Sequence, residues 1–280
     1  MRKILAILFL FVFFIFMLWI IRPTLQNKLT GTFANHHIPN VYQLLAVILT
    51  KDKTFYRTFW VPTVSTYSFY SFRHPQISGE DFLQVNSVID VLRFLQSKGA
   101  QSTLQDMGVK YVIVPFDSEE KIFLTERKYD SKKYDQTITA IQKIPWLHRR
   151  ILVDSLPIFQ IADAKDHIWL KSTHGESDYL QENPTYYHIN LKNVSKGDTL
   201  VFSEAYDSHW MLIIRENQSM YATSYHKMNS FILPKSGTYT VNIFYQPQMW
   251  VQDGAMISCV SLGIILVYLG ITFVLYKKTT

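Results

Sequence analysis

The sequence predicts an α+β protein anchored in a membrane, with two transmembrane helices flanking a small α/β lobe and an antiparallel β-sandwich. Three observations predict it. Charge-free apolar runs stand near both ends of the 280 residues, at Ile4 to Ile21 and Gly254 to Tyr276. Helix-like and strand-like patterns alternate between residues 80 and 165. From residue 166 to 247 the pattern turns to period-two alternation punctuated by turn residues.

At ~1.5 Å per residue the two apolar runs cover roughly 27 and 34 Å, enough for a bilayer core of about 30 Å. The first run ends in Trp19-Ile20-Ile21-Arg22-Pro23 without a small-residue cleavage site, so it reads as an uncleaved anchor. Arg2 and Lys3 precede it, and Lys277 and Lys278 follow the second run. Both termini are therefore expected in the cytoplasm, with residues 22–253 extracytoplasmic. Without those four flanking cations, 24 basic residues face 22 acidic ones, so the charge gives no case for nucleic acid. The one cysteine, Cys259, lies inside the second run, and the outer part must be held by a core rather than by disulfides.

Residues 22–79 read as an aromatic-rich outer segment. Val41 to Leu49 is an apolar stretch expected to form a short helix near the membrane. Thr54 to Thr66 is β-rich but holds Pro62, which points to an edge strand or a broken one. The aromatics Tyr56, Phe59, Trp60, Tyr67, Phe69, Tyr70 and Phe72 fit sheet packing, with sugar stacking or membrane-surface contact as alternatives. In the α/β lobe, Ser87 caps a helix expected to run through Lys98, and Thr103 to Met107 is a second, stopped by Gly108. Val109 to Pro115 has the continuous apolar centre of a strand buried on both faces. Lys132 to Lys143 is amphipathic, and Ile151–Val153 and Ile158–Ile161 read as two strands. Five strands follow in the sandwich: Tyr187–Leu191, Leu200–Tyr206, Trp210–Ile214, Phe231–Leu233 and Tyr239–Tyr245.

No nucleotide-binding, zinc-protease or nucleophile-elbow motif occurs, and no cofactor or metal site is expected. His36-His37 sits in a loop, where adjacent side chains diverge. Asn193-Val194-Ser195 and Asn217-Gln218-Ser219 match the glycosylation acceptor pattern. Glu80-Asp81, Glu119-Glu120 and Glu204 with Asp207 are paired carboxylates. Glu204 and Asp207 bracket a strand end and are the candidate acid/base pair for glycoside chemistry, the competing reading being a polar hairpin loop. Tyr206, His209 and Trp210 are the candidate ligand-binding residues, with Tyr245 and Trp250 as further aromatic candidates. Core packing, or an aromatic belt at the membrane surface for Trp250, is the alternative for the aromatics.

The segments LVFSEAYDSHW (Leu200–Trp210), FILP (Phe231–Pro234) and SGTYTVNIFYQPQ (Ser236–Gln248) resemble the C-terminal region of YfhO-like, GT-C-type bacterial membrane glycosyltransferases. MGVKYVIVP (Met107–Pro115) is similar to a strand of the same family. The resemblance implies an outer β-domain followed by a closing membrane helix. The family's catalytic core needs many spans and an acidic pair in its first outer loop, whereas Arg22 to Lys51 holds no Asp or Glu. The expectation is therefore a non-catalytic extracytoplasmic module of cell-surface polysaccharide or glycolipid assembly. Its expected partners are the lipid bilayer, a multi-span glycosyltransferase subunit and a glycan. The alternatives are a glycan-processing enzyme using Glu204 and Asp207, or a structural or receptor protein pairing through its helices. For the last, Gly254, Ser258, Ser261 and Gly263 permit close helix contact.

Overall fold

The computed structural model describes residues 2–25, 38–65, 67–116, 131–215 and 218–279. The protein is α+β, with a layered α/β lobe and an antiparallel sandwich between two terminal helices.

The lobe contains helix α2 (Asn40–Lys51), strands β1 (Arg57–Trp60) and β2 (Gln76–Ser78), and helices α3 (Gly79–Leu83), α4 (Val88–Leu95) and α5 (Ala100–Asp106). Strand β3 (Val109–Ile113), helix α6 (Ser131–Gln142) and strands β4 (His148–Arg150) and β5 (Ile158–Gln160) complete it. The strand order is β2-β1-β3-β5-β4. β1 runs parallel to both β2 and β3, while β5 is antiparallel to β3 and β4. Strand alternation sends Phe59, Val112 and Phe159 to one face, where they pack with Val91, Leu95, Leu104 and Ile141 of the helices α4, α5 and α6. Trp60, Ile113 and Ile158 go to the other face, beneath Tyr42, Leu45 and Leu49 of α2. Both faces are covered, which is why these strands read as continuous apolar runs.

Several expectations shift. The lobe begins at α2, so most of the segment assigned to residues 22–79 belongs to it. β1 is an internal strand with all four residues buried, not an edge. Pro62 does it no harm because the last ladder bond, Val61 N to Ile113 O at 2.9 Å, precedes it. Ser87 does cap α4, accepting from Ile89 N at 3.2 Å, but the helix closes at Gln96 rather than running through Lys98, and Gly99 is the N-cap of α5. The strand expected at Ile151–Val153 lies three residues earlier, as the charged edge strand β4. Val153 and Leu156 are used to plug the core beside α2. His36-His37, Glu119-Glu120 and Asn217 lie outside the described residues.

Among the described residues the sandwich has nine strands rather than five: β6 (Ile168–Lys171), β7 (Glu176–Asn183), β8 (Tyr186–Val194), β9 (Thr199–Ala205), β10 (Trp210–Arg215), β11 (Gln218–Tyr221), β12 (Thr223–Tyr225), β13 (Met228–Ile232) and β14 (Gly237–Tyr245). One sheet has the order β11-β10-β14-β8-β7 and the other β12-β13-β9-β6. Ile189, Leu191, Leu212, Val241 and Ile243 of the first meet Ile168, Leu200, Phe202 and Phe231 of the second.

Helix α1 (Arg2–Leu25) precedes the lobe and α7 (Pro247–Thr279) follows the sandwich. Among the described residues one stretch, Pro247–Ile271, is long and apolar enough to cross a membrane, and Phe9–Ile20 is a shorter apolar run within α1. The second crossing expected from the sequence is thus not shown.

Gly108 joins α5 to β3 with φ +74°, and a Cβ there would stand 2.8 Å from the Lys165 carbonyl oxygen. Gly108→Ala should cost about 1–3 kcal/mol of stability, from the left-handed backbone and the clash together, read by urea denaturation of the detergent-solubilised protein.

Candidate functional site

The chemistry-bearing side chains gather around one strand end. β9 delivers Ser203 and Glu204, and the turn Tyr206-Asp207-Ser208-His209 leads into Trp210 of β10. The two carboxylates of this segment face different partners.

Glu204 turns toward the α/β lobe. Its Oε1 accepts from Arg57 Nη2 at 2.8 Å and lies 2.7 Å from His167 Nε2. Arg57 Nη1 donates to the Met107 carbonyl at 2.7 Å and to Ser203 Oγ at 2.6 Å. Phe55 stacks on the His167 ring with centroids 4.2 Å apart, and the Arg57 guanidinium lies 4.9 Å from the Phe55 centroid. Arg57 and His167 are buried, and the Glu204 side chain is 40 % exposed. Burial alone would raise the Glu204 pKa, but the His167 hydrogen bond and the Arg57 charge hold it at about 2. Burial lowers the His167 pKa despite the Glu204 contact, so the ring is neutral and its Nε2 carries the proton given to Glu204. The group is a bolt between the lobes. A second set of contacts lies beside it: Trp169 Nε1 donates to the Asp106 carbonyl at 3.0 Å, and Gln105 Nε2 to the Ala162 carbonyl at 2.8 Å.

Asp207 faces the start of α7. Its Oδ1 accepts from the His209 amide at 2.9 Å and from His209 Nδ1 at 2.7 Å, and its Oδ2 accepts from the Tyr245 hydroxyl at 2.8 Å. Those bonds, the His209 amide first, hold its pKa below the ordinary carboxylate range. The Gln246 amide donates to the His209 carbonyl at 3.1 Å, and the His209 and Trp250 rings meet edge to face at 6.4 Å. The turn is therefore stitched to both ends of the β14–α7 junction.

Of the expected ligand-binding residues, Tyr206 and His209 are exposed, as is Trp250. Trp210 is only 8 % exposed and belongs to the sandwich core, against Phe202 at 4.7 Å and Tyr245 at 4.9 Å. Its strand parity with Leu212 and Ile214 turns it inward. A sugar-facing role for Trp210 is thus replaced by packing. Glu80 is buried at the first turn of α3. Among the described residues no group of three His, Cys, Asp or Glu side chains could hold a metal. A shallow cleft of about 350 Å³ lies elsewhere, between the α4–α5 turn and the end of α6, lined by Lys98, Lys143 and Trp146 among others.

Arg57 and His167 carried no sequence signal. A lone arginine within an aromatic strand could have been flagged as needing a buried acid, but not which one. No protein-family model matches the chain, and neither a curated protein nor a solved structure gives a significant match.

Both titrations of the bolt act in one direction. Glu204 has a folded pKa of about 2 against an ordinary 4.5, so its contribution is complete above pH 4.5 and is lost as pH falls toward 2. Burial also lowers the folded pKa of His167, so below its ordinary 6.5 the unfolded chain takes up a proton more readily than the folded one. Stability should therefore fall on acidification from pH 6.5. Glu204→Gln should cost about 2 kcal/mol at pH 7, below the usual 3–5 kcal/mol for a fully buried pair because water reaches the carboxylate. It should also flatten the step between pH 4.5 and 2; urea midpoints across pH check both.

Proposed function

We propose that the protein is a non-catalytic extracytoplasmic module of a cell-surface polysaccharide or glycolipid assembly system. In this reading α1 and α7 both cross the membrane, both termini are cytoplasmic, and residues 22–253 stand outside. The observation that carries it is the join of sandwich to helix. β14 ends at Tyr245 and α7 begins at Pro247, so one residue separates the sheet from the apolar helix. Asp207, His209 and Tyr245 brace that junction. A domain held this close to a membrane helix works at the membrane surface, where lipid-linked sugars are found. The exposed rings of Tyr206, His209 and Trp250 cluster about this junction and suit sugar stacking or hydrogen bonding.

The resemblance of Leu200–Gln248 to YfhO-like proteins supports the same reading. It also supports work alongside a multi-span glycosyltransferase core, held in a separate subunit or in a longer form of the same chain. Ser258 and Ser261 donate to the Gly254 and Ile257 carbonyls at 2.8 Å, which satisfies their hydroxyls and leaves a small-residue face for a neighbouring helix. The engagement of Glu204 by Arg57 and His167, and of Asp207 by Tyr245 and His209, favours binding over acid/base catalysis.

The test is binding of the full-length protein, in nanodiscs, to purified cell-envelope polysaccharides and lipid-linked oligosaccharides. Wild type should bind without releasing products, and Tyr206→Ala and His209→Ala should each weaken binding by about tenfold, ~1.4 kcal/mol. A wild type that binds no member of either class sinks the proposal. Turnover abolished by Asp207→Asn would replace it with an enzyme.

A further inference from the structure

The α2 side of the lobe is an unusual water-facing surface. α2 buries Tyr42, Leu45 and Leu49 against the sheet, yet its outer face also carries Leu44 and Val47, both about half exposed. From Asn40 to Thr50 the helix has no charged residue at all. A helix facing only water ordinarily carries charges on that side.

The 67–74 loop extends this surface. The Tyr67 ring lies 6.0 Å from Tyr42 near one end of α2. His74 Nε2 lies 3.0 Å from the Asp52 carbonyl, just past the other end. The loop thus runs alongside the helix, and it presents Tyr70 and Phe72, the latter 64 % exposed. At the same end stand the exposed cations Lys51, Lys53 and Arg73. The acid among them, Asp52, is engaged by Lys110 Nζ at 2.6 Å and by the Thr54 hydroxyl at 2.6 Å. An apolar strip with aromatic side chains and a cationic rim is the chemistry of a surface that sits in the headgroup region of an anionic bilayer.

The chain's course favours the same occupant. Fourteen residues separate Leu25 of α1 from Asn40 of α2, a tether of at most roughly 50 Å. With α1 in the membrane, α2 cannot leave its neighbourhood.

We infer that the outer face of α2 and the 67–74 loop dock the α/β lobe on the outer surface of an anionic lipid bilayer. Leu44, Val47, Tyr70 and Phe72 enter the interface, and Lys51, Lys53 and Arg73 meet lipid phosphates or carboxylates. This rests on the reading of α1 and α7 as membrane helices.

The test uses the full-length chain in nanodiscs carrying a nitroxide label at one cysteine. Val47→Cys and Phe72→Cys, each in a Cys259→Ser background, report the proposed face. Ile89→Cys, on exposed α4 across the sheet, is the aqueous control. Native Cys259 reports α7. In bilayers containing phosphatidylglycerol, the Val47 and Phe72 labels should be relaxed by dissolved oxygen and lose relaxation by an aqueous nickel chelate, while the Ile89 label keeps it. In purely zwitterionic bilayers, or after Lys51→Glu, Lys53→Glu and Arg73→Glu together, the shielding should weaken. Labels at Val47 and Phe72 as open to nickel as the Ile89 label overturn the inference. Equal shielding in zwitterionic bilayers overturns the anionic assignment. A Cys259 label open to nickel overturns the membrane reading itself, whereas a shielded Cys259 with an open Val47 overturns only the docking.

Discussion

The arrangement of the two lobes depends on one buried guanidinium. Arg57 lies on the strand between β2 and β3, where a cation without partners would be costly. Its donors reach Met107 in its own lobe and Ser203 and Glu204 in the sandwich, so the charge is satisfied only when the lobes meet in this register. His167 and Phe55 close the site on one side by stacking. A buried ion pair of this kind adds little stability over an apolar contact of the same shape. What it does here is geometric: it removes the alternative dockings that a purely apolar interface would allow.

The same strand carries the restraint onward. Glu204 is held by the α/β lobe, and three residues later Asp207 is held by Tyr245 and His209 at the head of α7. The segment from Ser203 to His209 is thus anchored at one end to the lobe and at the other to the apolar helix. Trp210 then enters the sandwich core, between Phe202 and Tyr245, and fixes the turn from below. Lobe, sandwich and helix are linked through seven consecutive residues by hydrogen bonds of ordinary length.

How much of this the sequence disclosed follows from the range of each interaction. α4, α6, β3 and the strands β8, β9, β10, β13 and β14 were legible because each buries an apolar face whose period is local. β7 was not, since Glu176–Asn183 is a polar sheet edge with little apolar alternation to read. β1 was misplaced as an edge because its pairing with β3 joins residues about fifty positions apart, and Pro62 outweighed that invisible partner. The candidate site was half legible. Glu204 and Asp207 stood out as carboxylates, but Arg57 lies 147 residues from Glu204, and no local pattern connects them. Trp210 was different. Its alternation with Leu212 and Ile214 was visible in the sequence and already implied the core.

The rigidity of the join bears on how a lobe with so modest an apolar face would stay on a bilayer in the docking proposed above. Burying a leucine or phenylalanine side chain contributes roughly 1.5–3 kcal/mol, and each cation near an anionic surface about 1 kcal/mol. Four partly inserted side chains and three cations would bind a free domain only weakly once translational and rotational freedom is lost. With α1 and α7 in the membrane, as proposed, that cost would fall on the helices, and surface contact by α2 would become intramolecular, at the high effective concentration of a short tether. The advantage survives only if the lobe cannot swing away on its connection to the sandwich. Arg57, Glu204 and His167 oppose that swing, so in the proposed docking the ion pair buried between the lobes would also hold the α2 face at the lipid.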